Sequence, residues 1–287
     1  MHEILGFDLS GEGEHRYIQI EKIGQNTLWV IDELSRQLSV DRALIGRSGL
    51  KDRHAVTRQW LSIQDPKSAC DFDKVDIDGV RLLNVAQHHK KLRPGDHAHN
   101  QFRLVLRDVN GDQMAIDSNL ENLRDRGFPN YFGDQRFGRE GKNLTKGWSV
   151  LAARRLNTHK NKGMYLSALR AFLFNKVASK RLLDLEKEHC SAFGLTAPMW
   201  GRGRLDVDQS QAAYEQQALD QWKPLCEALE HVGLKQERRP IVVVPENFNW
   251  SWHSDDVLEL KFSLPSGSYA TSLLREVGEF ADASLAS

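Results

Sequence analysis

The sequence predicts an α+β fold, and three observations predict it. Segments with two-residue alternation come first, segments with helical periodicity fill the middle, and alternating segments return near the C-terminus. Hydrophobic residues make up 40% of the 287 and charged residues 27%, the balance of a soluble globular chain rather than a disordered one. That length suffices for one large domain or two ordinary ones.

The elements follow in order. Residues 17–21 alternate and read as a strand. Asn26 and Thr27 can cap a helix in which Leu28, Ile31, Leu34 and Leu38 recur at helical spacing. Two glycines make residues 46–52 a tight connection. Residues 56–63, 80–87 and 99–109 read as strands, the last with Phe102, Leu104 and Leu106 on one face and Arg103, Val105 and Arg107 on the other. A helix over 115–126 is closed by Gly127. Residues 128–138 are irregular and rich in aromatics and glycine. Helices are expected over 144–155, 164–183 and 211–231, the last broken near Pro224. Strands return at 241–244 and 258–264. A turn at Pro265-Ser266-Gly267 leads to an amphipathic helix over 268–280. The chain therefore reads as an α+β domain interrupted by a helical insertion of about residues 127–244.

Charge narrows the function. The net charge is zero, yet residues 134–181 carry twelve Lys and Arg, Arg154, Arg155 and Lys160 among them, against Asp134 and Glu140. Residues 79–107 carry six basic residues against Asp96, whereas 206–237 hold seven acids against two basic residues. A positive block inside a neutral chain suits a local polyanion site, although cations also simply solvate helices. No apolar run is long enough to span a bilayer, and the start has no leader pattern. Cys70, Cys190 and Cys226 are odd in number and far apart, which argues against a disulfide framework or a thiolate metal cluster. The expected setting is the cytoplasm.

Five segments can carry chemistry. In Gly49-Leu50-Lys51-Asp52-Arg53-His54 a carboxylate sits in a loop between regular elements, and the cations beside it favour its ionised form. A surface turn with incidental charges would look similar. One carboxylate among cations is a poor metal site, and no metal is implied. In His99-Asn100-Gln101-Phe102, Phe102 can be a core residue or a stacking platform for an unpaired base, with Asn100 bonding the site or the base edge. In residues 129–138, Tyr131, Phe132, Gln135 and Arg136 are interleaved with glycines, as in a structural hinge or an RNA-contacting turn. In residues 166–175, Leu166, Leu169 and Leu173 form a core stripe, with Arg170 and Asn175 off it. In residues 269–276, Arg275 can reach a carboxylate or a phosphate.

Taken together and in this order, the segments resemble the TruD family of tRNA pseudouridine synthases. Gly49 to Thr57 is similar to its catalytic loop, whose Asp matches Asp52. Asn100 and Phe102 match its Asn-x-Phe pair, and residues 129–138 match the signature that opens its insertion domain. Gly11-Glu12-Gly13-Glu14-His15 and residues 22–27 fit its N-terminal pattern. The resemblance implies a pseudouridine synthase catalytic domain, residues 1–126 and 245–287, with a mixed, largely antiparallel sheet. Residues 127–244 would form a mainly helical, RNA-binding TRUD-type insertion domain.

The implied activity is isomerisation of a tRNA uridine, at position 13 in the D-arm, by a monomer without cofactor or obligate protein partner. Asp52 would act as nucleophile at C1′ or as base at C2′. Lys51, Arg53 or Arg275 would hold it ionised, Phe102 would stack on the uracil, and Asn100, His54, Phe132 and Arg136 would help bind substrate. Two departures stand out. Family members begin further upstream, with a Lys and an Asp-Phe pair ahead of the Glu that matches Glu3, and here the insertion domain is short between Cys190 and Trp200. They leave an RNA-binding relative without turnover, such as an RNA chaperone, as the alternative. A hydrolase using Asp52 would need a water-activating base, and no residue stands out for that role.

Overall fold

The computed structural model describes residues 1–153 and 161–281. The chain divides into two compact units, Met1–Asp112 with Pro245–Gly267, and Gln113–Val244 with Ser268–Phe280.

In the first unit the chain runs through β1 (His2–Ile4), β2 (His15–Ile23), α1 (Thr27–Leu38), β3 (Ile45–Arg47), β4 (Val56–Gln64), β5 (Val80–His88) and β6 (His99–Leu106). The second unit contains α2 (Gln113–Arg126), β7 (Phe128–Pro129), α3 (Asp134–Phe137), α4 (Lys142–Ala152), α5 (Lys162–Lys187), β8 (Thr196–Met199), α6 (Gln209–Ala218), α7 (Lys223–Glu230), β9 (Glu237–Pro240) and β10 (Val242–Val243). The chain then returns to the first unit as β11 (Glu246–Ser254) and β12 (Val257–Pro265), and α8 (Ala270–Val277) closes the second.

The first unit is an eight-stranded sheet in the order β11-β12-β6-β1-β4-β2-β5, with β3 also paired to β4. Only β1 and β4 run parallel; every other pairing is antiparallel. The alternation expected at 17–21 extends to a nine-residue strand whose Ile18 and Ile20 face Leu61 and Ile63 of β4. Helix α1 lies on that face. Asn26 caps it, its side chain accepting the Leu28 N–H at 2.9 Å, and Val30, Ile31 and Leu34 bury against the strands. Each such side chain contributes about 1.5–3 kcal/mol on leaving water.

The sequence reading missed β1, which is only three residues long and exists as a bridge between β4 and β6. It also missed β11, where two register shifts interrupt the pairing, and the β8–β9 pair. Residues 46–52 are not one tight connection: Gly46 and Arg47 pair with β4 before the loop begins.

The second unit packs around α5, whose Leu166, Leu169, Leu173, Phe174 and Val177 are buried with Leu151, Leu225, Leu229 and Ile241. Arg170, expected off the stripe, is also buried; its guanidinium donates to the carbonyls of Met199 and Lys235 and to Glu237. Asn175 brackets Phe132, accepting its N–H and donating to its carbonyl, both at 3.0 Å. The expected helix over 211–231 is two helices, and Pro224 lies in the first turn of α7, where its missing N–H leaves no intrahelical bond unmade. Arg154, Arg155 and Lys160 of the basic block lie outside the described residues. Among the described residues, no helix is long and apolar enough to cross a membrane.

Gly127 closes α2 as expected. Its φ is +75°, its N–H bonds the Leu123 carbonyl at 2.9 Å, and a Cβ there would stand 2.4 Å from the Val243 oxygen. Gly127→Ala therefore meets both backbone strain and a clash, and is expected to destabilise the protein by about 1–3 kcal/mol. Urea unfolding checks this, with Asn26→Ala, which loses only a cap and about 1 kcal/mol, as the comparison.

Candidate active site

The loop between β3 and β4 has no regular structure, so tertiary contacts must hold it. Ser48 is anchored by the segment before β6: its carbonyl accepts the Gly95 N–H at 2.8 Å and its hydroxyl accepts the His97 N–H at 2.9 Å. Thr27, the first residue of α1, accepts the Lys51 N–H at 3.1 Å and donates to Gln59 at 3.0 Å. Lys22 donates to the Asp52 carbonyl at 2.7 Å and to the Gln25 carbonyl at 2.9 Å. These contacts fix the loop while the Asp52 side chain stays exposed.

Beneath the loop lies a layer of buried polar groups. The Lys51 ammonium is 2.8 Å from Glu3 Oε2 and donates to Asn100 Oδ1 at 2.6 Å. Glu3 is fully buried, and its other oxygen accepts the Trp60 N–H at 3.1 Å. Lysine can only donate, so Asn100 must turn its oxygen toward Lys51 and its NH2 toward His97 Nε2, 2.9 Å away. Nε2 is then an acceptor, and His97 is the neutral tautomer with its proton on Nδ1, which bonds the Ser48 hydroxyl. The charges agree with this. Burial first, then the neighbouring Lys51, pushes His97 down to about 4.

Register places these residues on one face of the sheet. Glu3 is paired with Asn100, Lys22 with Thr57, and His2 with Arg58, which sets Glu3 beside Gln59. Side chains two apart on a strand share a face, so Lys22, Thr57, Gln59, Glu3, Asn100 and Phe102 all lie on the side covered by α1. Extending the register by one residue puts Lys22 and Phe102 in one row, three strand spacings apart, or roughly 14 Å between their backbones. Phe102 stacks on Phe262 with centroids 5.2 Å apart and stays only half-buried. The face thus offers an exposed carboxylate, a floor of fixed donors and a partly open ring.

The other sequence-expected residues fall into two groups. Arg53 and His54 are exposed beside Asp52, and Arg53 donates to the Gly24 carbonyl at 3.0 Å. Phe132, Arg136 and Arg275 belong to the second unit. Phe132 is a core residue: Phe174, Tyr269 and the Arg239 guanidinium, 4.2 Å from its centroid, surround its ring, so it packs rather than stacking on a base. Arg136 donates to Tyr269 and Ser167 at 3.0 Å each, fastening residues 129–138 to α5 and to the start of α8. Arg275 pairs with Asp134. Three cations were expected to support Asp52, but Lys51 is balanced by Glu3 and Arg275 by Asp134.

Sequence reasoning gave no site role to Glu3 or Lys22, which it placed only within the family pattern, and did not single out Ser48 or His97. For Lys22 a signal was present: it follows Ile18 and Ile20 at strand spacing, so the alternation itself points a lysine inward.

His97 makes a testable contribution to stability. Its folded pKa of about 4 lies below the ordinary 6.5, so below pH 6.5 the unfolded chain takes up a proton that the folded protein refuses. Stability is expected to fall as pH drops from 6.5 to 4, by on the order of 3 kcal/mol from this residue. Urea titrations should show that slope in the wild type and a shallower one in His97→Gln. Equal slopes would place His97 outside the buried network.

The family model "tRNA pseudouridine synthase D (TruD)" matches residues 1–147 and 189–277. The tRNA pseudouridine synthase D of Cellvibrio japonicus is 39% identical over 287 residues, covering 96% of this chain and 85% of that protein. The protein of the same name from Aeromonas hydrophila is 37% identical, with 96% and 87% covered. The crystal structure of the putative tRNA pseudouridine synthase D from Methanosarcina mazei matches with a TM-score of 0.65 over 96% of this chain and 90% of that one, at 18% identity, which speaks for the fold. The mixed α+β architecture is that of a pseudouridine synthase, and the chain belongs to the tRNA pseudouridine synthase D family.

Proposed function

We propose that this protein isomerises a uridine of tRNA to pseudouridine, with Asp52 as the catalytic carboxylate. The reading rests on family membership and on one observation: Asp52 presents an exposed carboxylate from a loop held from below by the buried Lys22, Thr27 and Lys51. The reaction breaks the N1–C1′ glycosidic bond, turns the uracil and rejoins it through C5; C5 gives up its proton and N1 takes one up, so the product is an isomer. Asp52 acts as nucleophile at C1′; abstraction of a proton from C2′ is the other route open to the same carboxylate.

A uridine inside folded RNA must leave its stack, at a cost of a few kcal/mol. Phe102, half-buried against Phe262, supplies a surface on which the everted uracil can stack. Lys51 and Asn100 are too buried to bind substrate freely; they shape the floor beneath it. Exposed Arg53 and His54 flank the carboxylate, where the phosphates on either side of the target would lie. The family points to position 13 of the D-arm as the target. Residues 1–126 and 245–287 would carry catalysis and 127–244 would bind RNA, working as a cytoplasmic monomer.

The test is tritium release from tRNA labelled at uridine C5. Asp52→Asn is expected to lose at least about 10²-fold in rate while still binding tRNA, with affinity that falls steeply as salt rises. Activity near wild type in that variant would remove Asp52 from the mechanism. Salt-sensitive tRNA binding by a wild type that releases no tritium would instead identify an RNA-binding relative without turnover.

A further inference from the structure

We infer that Lys22 is a positioning residue for this reaction, its ammonium holding the Asp52 main chain, and with it the carboxylate, in the reacting geometry. The inference rests on the reading of Asp52 given above.

Lys22 is fully buried, at 0% exposure, and is among the largest side chains with no solvent contact. Its hydrogen bonds go to the carbonyls of Asp52 and Gln25, and among the described residues no carboxylate lies within 4 Å of it. Burial holds its ammonium below the usual lysine range; Asp52 opposes that shift, and Lys51 adds to it. A buried cation without a contacting anion is costly, and an apolar residue of similar volume would fill the site at lower cost. The neighbouring Lys51 has an anion in Glu3 at 2.8 Å; Lys22 has only dipoles and the distant Asp52 charge. On the inward face of β2 its two predecessors are Ile18 and Ile20, the residues expected at such a position.

What Lys22 supplies in return is position. Asp52 lies five residues beyond the end of β3 in a loop without regular bonding. The Lys22–Asp52 contact is the hydrogen bond that fixes the carbonyl of the reacting residue itself, and it ties that residue to a nine-residue strand paired on both sides, with β4 and β5. An error of about 1 Å in the placement of a reacting group can cost on the order of 10²-fold in rate.

The experiment is Lys22→Met, close to lysine in length and volume, followed by single-turnover tritium release at saturating enzyme, tRNA binding and thermal unfolding. The rate is expected to fall about 10- to 100-fold, with tRNA affinity within about twofold and a melting temperature unchanged or raised. Lys22→Gln, which keeps a donor without the charge, is expected to fall between Lys22→Met and wild type. A purely structural lysine would give the opposite pattern: lower stability and an unchanged rate per folded molecule. That pattern, failure of Lys22→Met to fold, or a wild-type rate in both variants would overturn the inference. Asp52→Asn assayed alongside separates the two claims: if it is inactive while Lys22→Met is fully active, only the role of Lys22 falls.

Discussion

The Glu3–Lys51 ion pair is the contact on which the site depends. Two charges taken out of water repay their desolvation only when geometry and further hydrogen bonds complete their shells. Here the Trp60 N–H completes Glu3 and the Asn100 side-chain oxygen Oδ1 completes Lys51. The consequence is structural as well as electrostatic. Strand β1 is three residues long and has little of its own to hold it, yet Glu3 locks it between β4 and β6. The same pair fixes the orientation of Asn100, which fixes the tautomer of His97, which binds Ser48. One buried ion pair therefore links the start of the sheet, one strand face and, through Ser48 and Lys51, the first half of the loop that carries Asp52.

That arrangement separates rigidity from reactivity. The loop's inward groups are committed to partners, so few degrees of freedom remain to be lost when a substrate arrives. The carboxylate is the group left uncommitted. In the second unit the interleaved aromatics, glycines and arginine of residues 129–138 do different work. Asn130, Phe132 and Arg136 are joined to Pro240, Asn175, Ser167 and Tyr269 by hydrogen bonds that fasten an irregular segment to the helices around it.

Much of this was legible in the sequence where local chemistry decides. Asn26 before a helical stripe, Gly127 after one, and the alternation through Phe102 each follow from short-range rules. What could not be read was long-range partnership. Nothing near Glu3 in the chain announces Lys51, and a three-residue strand has too few residues to show a period. Strand β11 alternates Phe248, Trp250 and Trp252, but its register shifts break the pattern. Phe132 and Arg136 looked like substrate-contacting groups because aromatics beside arginine suit RNA, and the same pairing suits a structural fastener when Tyr269 and Phe174 come from 137 and 42 residues beyond Phe132. Asp52 stood out as catalytic only through the family motif; its exposure and the clamp beneath it belong to the fold.

The proposed reaction requires an everted uridine to meet Asp52 over Phe102. Its most direct test is a crystal structure of Asp52→Asn bound to a tRNA D-arm fragment. The target uracil is expected to stack on Phe102, with the sugar C1′ or C2′ within about 3.5 Å of the residue-52 side chain. A uridine bound elsewhere, or one kept within the RNA stack with residue 52 facing empty solvent, would contradict it.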